Sequence, residues 1–313
     1  MRIVTSNVLF GRITSPRLDN LKTTLSLILR NPGSAFGLIV VILYISIAVI
    51  DQVYPKLLGI TTNVNTMTVN FSNPVPLPPS WLSNPSNWSL PFGTTFPGIN
   101  LFHAIIKSIR IDVSFSAAVV AGGCIVGIVL GLYSAFYGKW IDQLIMRLTD
   151  IFFSIPFLVL AIAAGFFLGR SLEILVVILI IVWWPTYARV VRGQALSVKE
   201  MSYVEAAKAS GVSSFRLMFK HILPNTMAPV IVQVSYDFAT VVLLLAMLDF
   251  IGFTPANAYL PELGYLASIG YGFAEVGDWW TIVFPGLAVL LLALSMNLLG
   301  DGLRDALDPK LRR

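Results

Sequence analysis

The sequence predicts an all-α, polytopic membrane protein with six transmembrane helices. Three observations carry that expectation: a mean hydropathy of +0.80 with only 12% charged residues, six apolar runs of bilayer-spanning length, and a lopsided distribution of Lys and Arg between the loops. A soluble chain of 313 residues needs a polar surface that 56% hydrophobic content does not supply. The formal charge of +5 and pI near 9.3 mark the loops on one side of the membrane rather than a nucleic-acid patch. The single cysteine, Cys124, lies in an apolar run, has no intrachain partner and reads as a small packing residue.

A hydrocarbon core about 30 Å thick requires about 20 apolar helical residues. Runs of that size fall at Ala35–Tyr54, Asp112–Tyr137, Thr149–Leu168, Leu172–Val191, Met227–Phe250 and Thr281–Leu299. The basic, mixed-polar stretch before the first run is followed by apolar sequence too late and too long for a cleaved signal peptide, so the first span is expected to be retained. An even number of spans puts both termini on one side. Of the 21 Lys and Arg, all but Lys56, Lys107, Arg110 and Arg170 fall on the side of the termini, which makes that side cytoplasmic. The expected organisation is a cytoplasmic segment 1–34, a first span 35–55, an external loop 56–111, a core of five further spans at 112–300 enclosing a cytoplasmic loop 193–226, and a cytoplasmic tail 301–313.

The external loop is rich in Asn, Thr, Ser and Pro, with Pro74, Pro76, Pro78 and Pro79 close together, which predicts irregular or extended backbone. Asn70-Phe71-Ser72 and Asn87-Trp88-Ser89 fit the N-glycosylation pattern. In the second span Gly123, Gly127 and Gly131 recur every four residues, a small-residue stripe suited to close approach of another helix. In the fifth, Asp237 sits near mid-span, where an ionised carboxylate costs roughly 2.5 to 3.5 kcal/mol on insertion scales and must face protein or water. With Gln233 and Tyr236 it borders a translocation path, or it is a structural aspartate bonded to a neighbouring helix; both readings stay open here. Asp249 and His103 are expected in solvated or headgroup-facing positions.

The cytoplasmic loop is the most specific stretch. Ser202 and Glu205 have capping-box spacing, Ala206, Ala207, Lys208 and Ala209 favour helix, and Gly211 suits a left-handed stop. A second helical stretch from Ser214 to Ile222 is expected to end at Pro224. A two-turn helix is marginal alone in water, so something must hold it: a partner's groove, or lipid headgroups beneath an amphipathic loop.

The run Tyr203-Val204-Glu205-Ala206-Ala207-Lys208-Ala209-Ser210-Gly211, continuing to His221-Ile222-Leu223-Pro224-Asn225, resembles the EAA loop of ABC importer permeases. RLTDIFFSIPF at 147–157, WPTYARVVRGQAL at 184–196 and NLLGDGLRDALDPKLRR at 297–313 are similar to the second permease of the dipeptide/oligopeptide/nickel group. The resemblance implies a type I importer permease fold in the cell membrane, with Tyr203, Glu205, Ala206, Ala207, Ser210, Gly211 and Phe215 contacting an ATPase. It also implies a second, related permease, two cytoplasmic ATPase subunits that hold ATP and Mg, an external solute-binding protein, and no cofactor on this chain. Peptides are the implied cargo and oligosaccharides the alternative; nickel is disfavoured for want of clustered His. The outer side departs from the family: Phe92-Gly93-Thr94-Thr95 and Gly98-Ile99-Asn100 lack two acids and a basic residue, Leu245 replaces a glutamate and Asp249 a serine.

No P-loop, H-E-x-x-H or G-x-S-x-G pattern occurs, so neither nucleotide hydrolysis nor intramembrane catalysis is expected. An ATP-independent secondary transporter or channel is the rival from another class, and it leaves the EAA-like loop without a purpose.

Overall fold

The computed structural model describes residues 16–53, 74–169, 171–253 and 261–307. Their elements are α1 (Pro16–Arg30), α2 (Pro32–Val53), a short α3 (Ser80–Ser83), a two-stranded antiparallel hairpin of β1 (Thr94–Thr95) and β2 (Ile99–Asn100), α4 (Leu101–Tyr137), α5 (Lys139–Ser154), α6 (Phe157–Leu168), α7 (Leu172–Lys199), α8 (Ser202–Ala209), α9 (Ser214–Arg216), a π-helical turn (Leu217–Ile222), α10 (Leu223–Phe250), α11 (Leu263–Ala274) and α12 (Trp280–Leu307). Five helical stretches are long and apolar enough to cross a membrane, and the pair α5–α6 makes a sixth if its two arms form one span.

That pair corrects the third expected span. The apolar run Thr149–Leu168 is not one helix: it breaks at Ile155-Pro156 and the two arms meet at 82°. Proline offers no N–H and crowds the preceding turn, so an apolar run containing Pro156 is a weaker helix than its hydropathy suggests.

Helix boundaries also differ from hydropathy because caps, not lipid, end helices. α4 starts at Leu101 rather than Asp112, since the Asn100 side chain accepts from the His103 N–H. Its 37 residues span about 55 Å, well beyond the hydrocarbon core. The early start is tolerated because Arg110 pairs with the buried Asp51 of α2 at 3.2 Å. α7 runs on to Lys199, so residues 193–199 are helix rather than loop. α12 continues past Leu299 to Leu307, so the first seven residues expected as a tail are helical, with Gly302 and Ala306 buried. Pro224 does not end a helix either. The chain is continuous from Ser214 to Phe250, and a π turn takes up the proline, with the Leu223 N–H donating to the Met218 carbonyl five residues back.

The segment 74–100 has little regular secondary structure, as expected, but specific bonds hold it in place. Thr94 Oγ1 accepts from the Leu77 N–H, Ser80 Oγ donates to the Asn87 carbonyl, and the Trp280 indole donates to the Thr94 carbonyl. The Phe92 ring stacks on Phe284 of α12 with centroids 4.2 Å apart. Asn70 lies outside the described residues.

The most extensive helix–helix seam among the described residues lies between α4 and α7. A Cβ on Gly127 would stand 2.4 Å from the Tyr187 Cβ and 2.6 Å from the Trp184 carbonyl oxygen, and one on Gly131 would stand 2.6 Å from the Ala188 oxygen. The glycine stripe therefore seats α7 backbone against backbone, which is how helices associate where lipid removes the hydrophobic drive. Gly127→Val is expected to destabilise the protein by about 1–3 kcal/mol through overpacking, read as a lower melting temperature in detergent. Gly286→Ala, inside α12 where an added Cβ meets nothing within 4 Å, should not lower that temperature and can raise it slightly, since Ala is the better helix former.

Candidate functional site

α8 is held by packing, not by the expected capping box. Its N-cap is Met201, whose side chain cannot accept, and Ser202 is the first helical residue. The C-terminal end is well built: the Gly211 N–H bonds the Lys208 carbonyl (3.1 Å) and the Val212 N–H bonds the Ala207 carbonyl (3.2 Å), a Schellman arrangement with Gly211 at φ +77°. Val204 is buried against the body of the protein, where Leu217 of the π turn is also buried. Anchored through that one apolar residue, the two-turn helix leaves Tyr203, Glu205, Ala206, Ser210 and Gly211 exposed, and Ala207 half-buried. Phe215 stands 65% exposed and its ring lies tilted against that of Phe219, with centroids 4.6 Å apart. Six of the seven residues expected to contact an ATPase thus present themselves on the surface, close together in sequence.

Beneath α8 lies a depression of about 410 Å³ lined by residues that include Phe136, Lys199, Val204, Lys208 and Leu217. Lys199 was not singled out from sequence. Its ammonium donates to the carbonyls of Ala135 (3.1 Å) and Phe136 (2.7 Å), satisfying the last turn of α4 from the last turn of α7. Nearby, Arg192 of α7 grips Asp142 of α5 through two bonds of 2.5 and 2.6 Å, and Asp142 also accepts from Ser134 of α4. Arg189 pairs with Asp150 and covers the Phe153 ring at 4.3 Å. The ends of α4, α5 and α7 next to α8 are therefore tied by ions rather than by apolar contact alone.

A cleft of about 730 Å³ opens between α7, α10 and the end of α12. On α10 its wall is the stripe Asn225, Ala228, Pro229, Val232, Gln233 and Tyr236, one helical face at spacings of three and four. Arg189, Gln194 and Arg304 supply its other polar groups. Gln233 and Tyr236 line this cleft; Asp237 does not. Asp237 is buried, accepts at 3.0 Å from Gln233 one turn earlier, and has Tyr187 and Trp183 of α7 as its other polar neighbours. Tyr236 donates to Asp301 of α12 at 2.7 Å. The sequence signal for Arg189, Asn225 and Arg304 was their phase with Gln233 and Tyr236 on facing helices, which no single-helix reading exposes.

At the opposite end the polar groups are buried. Asp51, Asp112, Asp249 and Glu262 are each no more than 3% exposed, which corrects the expectation that water reaches Asp249. Asp112 accepts from the Leu263 N–H at 3.3 Å, and Tyr44 donates to the Ala288 carbonyl at 2.9 Å. His103 is half-buried in the first turn of α4. In the extramembrane turn before α12, desolvation raises the carboxyl of Asp278 above the usual carboxylate range.

A multi-pass helical membrane body with an exposed helical hook beside an open cleft is the architecture of a transporter permease. The chain belongs to the family of binding-protein-dependent transport system inner membrane components, whose model matches residues 127–313. It is 40% identical over 237 residues to the dipeptide transport system permease protein DppC of Alkalihalophilus pseudofirmus, covering 75% of this chain and 76% of that one. It is 41% identical over 235 residues to the probable D,D-dipeptide transport system permease protein DdpC of Escherichia coli, covering 75% and 76%. The fold is similar to a permease chain of the MetNI methionine ABC transporter in an inward-facing form, with TM-score 0.54 at 19% identity over 66% of this chain and 98% of that one. The chain is a permease subunit of an ABC importer, not an enzyme; the ATPase is a separate subunit.

Lys199→Met keeps the aliphatic length and removes both bonds to the end of α4. It is expected to cost about 1–3 kcal/mol, measured as a lowered thermal midpoint in detergent, while membrane insertion is retained.

Proposed function

We propose that this chain forms one half of the translocation path of a peptide importer in the cell membrane. In this reading both termini, α8 and the 730 Å³ cleft face the cytoplasm. The observation that carries it is the exposure of Tyr203, Glu205, Ala206, Ser210, Gly211 and Phe215 around a helix held by a single buried valine. Such a surface suits a groove on a partner, with small residues allowing close approach and Glu205 and Lys208 at the rim. The side assignment rests on the positive-inside rule: Arg30, Lys139, Arg147, Arg192, Lys199, Lys208, Arg216, Lys220 and Arg304 cluster toward the α8 end.

The partners in this reading are a second, related permease, which completes the path against the cleft, and two cytoplasmic ATPase subunits that bind ATP and Mg. An external solute-binding protein delivers cargo to the end that carries the β hairpin. Closure of the ATPases pulls the two coupling helices together. α8 is packed on the π turn that opens α10, and α10 carries Gln233 and Tyr236, so a displacement of α8 is delivered along α10 to the cleft wall. Peptide cargo is supported by relatives named for dipeptide transport, DppC of Alkalihalophilus pseudofirmus and of Haemophilus influenzae among them. Oligosaccharide cargo is the second reading, favoured by one observation: residues 74–100, which cover the outer end, contain no Asp, Glu, Lys or Arg.

Glu205→Lys or Gly211→Asp is expected to uncouple ATP hydrolysis from uptake without stopping membrane insertion; unaltered uptake in either variant counts against the coupling assignment. Asp237→Asn is expected to lower transport in the reconstituted complex, and an unchanged rate would assign Asp237 to structure alone. Cargo is decided by ATP hydrolysis of the complex with its binding protein loaded in turn with peptides and with oligosaccharides. Stimulation by one class identifies it, and ATP-independent leakage with no stimulation would point to a channel.

A further inference from the structure

We propose that Asn87 is an N-glycosylation site, an assignment that rests on the outward placement of residues 74–100 argued above. Three observations on the molecule point to it. First, the sequon Asn87-Trp88-Ser89 lies in an exposed loop: residues 82–89 are all exposed, and Trp88 is 67% exposed. Second, the loop is fixed at its base. Ser80 Oγ donates to the Asn87 carbonyl (2.8 Å) and accepts from the Leu90 N–H (3.1 Å), the Ser80 N–H bonds the Leu90 carbonyl (3.0 Å), and the Trp81 indole donates to the Pro91 carbonyl (2.8 Å). A sugar on the exposed Asn87 side chain can therefore be carried without disturbing a packed surface of this chain. Third, the Asn87 carboxamide is already turned for the reaction. Its Oδ1 accepts from the Ser89 N–H at 3.0 Å, while its Nδ2 makes no hydrogen bond among the described residues.

The surrounding surface supplies a physical reason for the modification. The segment 74–100 has no charged residue, yet it exposes Val75, Leu82, Trp88 and Phe96. An uncharged patch of that kind facing water invites association, and a bulky hydrophilic glycan beside Trp88 covers it. In the reaction the Asn87 Nδ2 forms a bond to the anomeric carbon of a lipid-linked oligosaccharide. The bond from that carbon to the phosphate oxygen breaks, the lipid phosphate leaves with the electron pair, and the amide proton passes to a base of the membrane transferase.

The test uses the full-length chain purified from the membranes of its own host. No Lys or Arg lies between Lys56 and Lys107, so trypsin leaves both sequons in one peptide, whereas chymotrypsin cutting after Trp81 separates Asn87 from Asn70. Mass spectrometry should show the Asn87 peptide carrying a mass increment in whole sugar residues, absent in Asn87→Gln and in Ser89→Ala. Ser83→Cys, probed on intact cells with a membrane-impermeant maleimide, reports the side of the membrane independently. External labelling together with an unmodified Asn87 peptide, or with sugar on Asn70 alone, overturns the proposal and leaves the topology standing. Protection of Ser83→Cys in intact cells, with labelling only after lysis, overturns the topology and the proposal with it.

Discussion

The seam between α4 and α7 is the contact on which the rest of the protein depends. In lipid, burying apolar side chains between helices gains little, because the tails around them are as apolar as leucine; association has to come from close contact and polar bonds. Gly123, Gly127 and Gly131 remove the side chains that would hold α7 away, and Tyr187, Ala188 and Val191 come down onto the exposed backbone of α4. That approach fixes where every other group on α7 can reach. Lys199 finds the terminal carbonyls of α4, Arg192 finds Asp142 just past the end of α4, and Tyr187 and Trp183 reach Asp237 on α10.

Polarity is distributed unequally about this seam. At the α8 end the charged groups are paired but mostly accessible, so their bonds can be exchanged for water when helices move. At the other end Asp51, Asp112, Asp249 and Glu262 are enclosed, where breaking a contact would strand a buried polar group at a cost of about 1–3 kcal/mol or more. The end with the enclosed carboxylates is further reinforced by the Trp280 bond to Thr94 and by Phe92 stacked on Phe284. In the proposed coupling, motion that starts at α8 would meet ionic links first and the enclosed carboxylates last.

Much of the fold was legible in the sequence because hydropathy at bilayer length is a strong physical signal. The centres of the spans follow from it, as does the packing role of the glycine stripe. Ends were misread wherever a local bond outweighs hydropathy: Asn100 starts α4 eleven residues early, and the π turn carries the helix through Pro224. The third run was read by hydropathy alone, which takes no account of Pro156 within it. At the site, the exposed residues of α8 were legible because a short Ala-rich helix closed by glycine has a local signature. Lys199, Arg189 and Arg304 were not, since their meaning lies in partners on other helices, as far as 64 residues away in the case of Lys199 and Ala135. Asp51 passed unnoticed because it sits at the edge of a hydrophobic run, where a carboxylate normally marks the exit into water.

In the proposed coupling, the π turn is what would let so small a hook act on the cleft. A regular α-helix through Pro224 would lack one backbone bond and clash with the carbonyl four residues back. Widening Leu217–Ile222 to five-residue spacing removes that clash, and the Asn225 side chain donates to the His221 carbonyl at 2.8 Å. The helix therefore continues without a break from Ser214, beside the hook, to Gln233 and Tyr236 on the cleft wall. A flexible loop between hook and span would absorb a push from below. A continuous helix of about 30 Å between Ser214 and Tyr236 instead transmits it, with Val204 against the π turn as the point where force enters and the Tyr236–Asp301 bond as the point where it reaches α12.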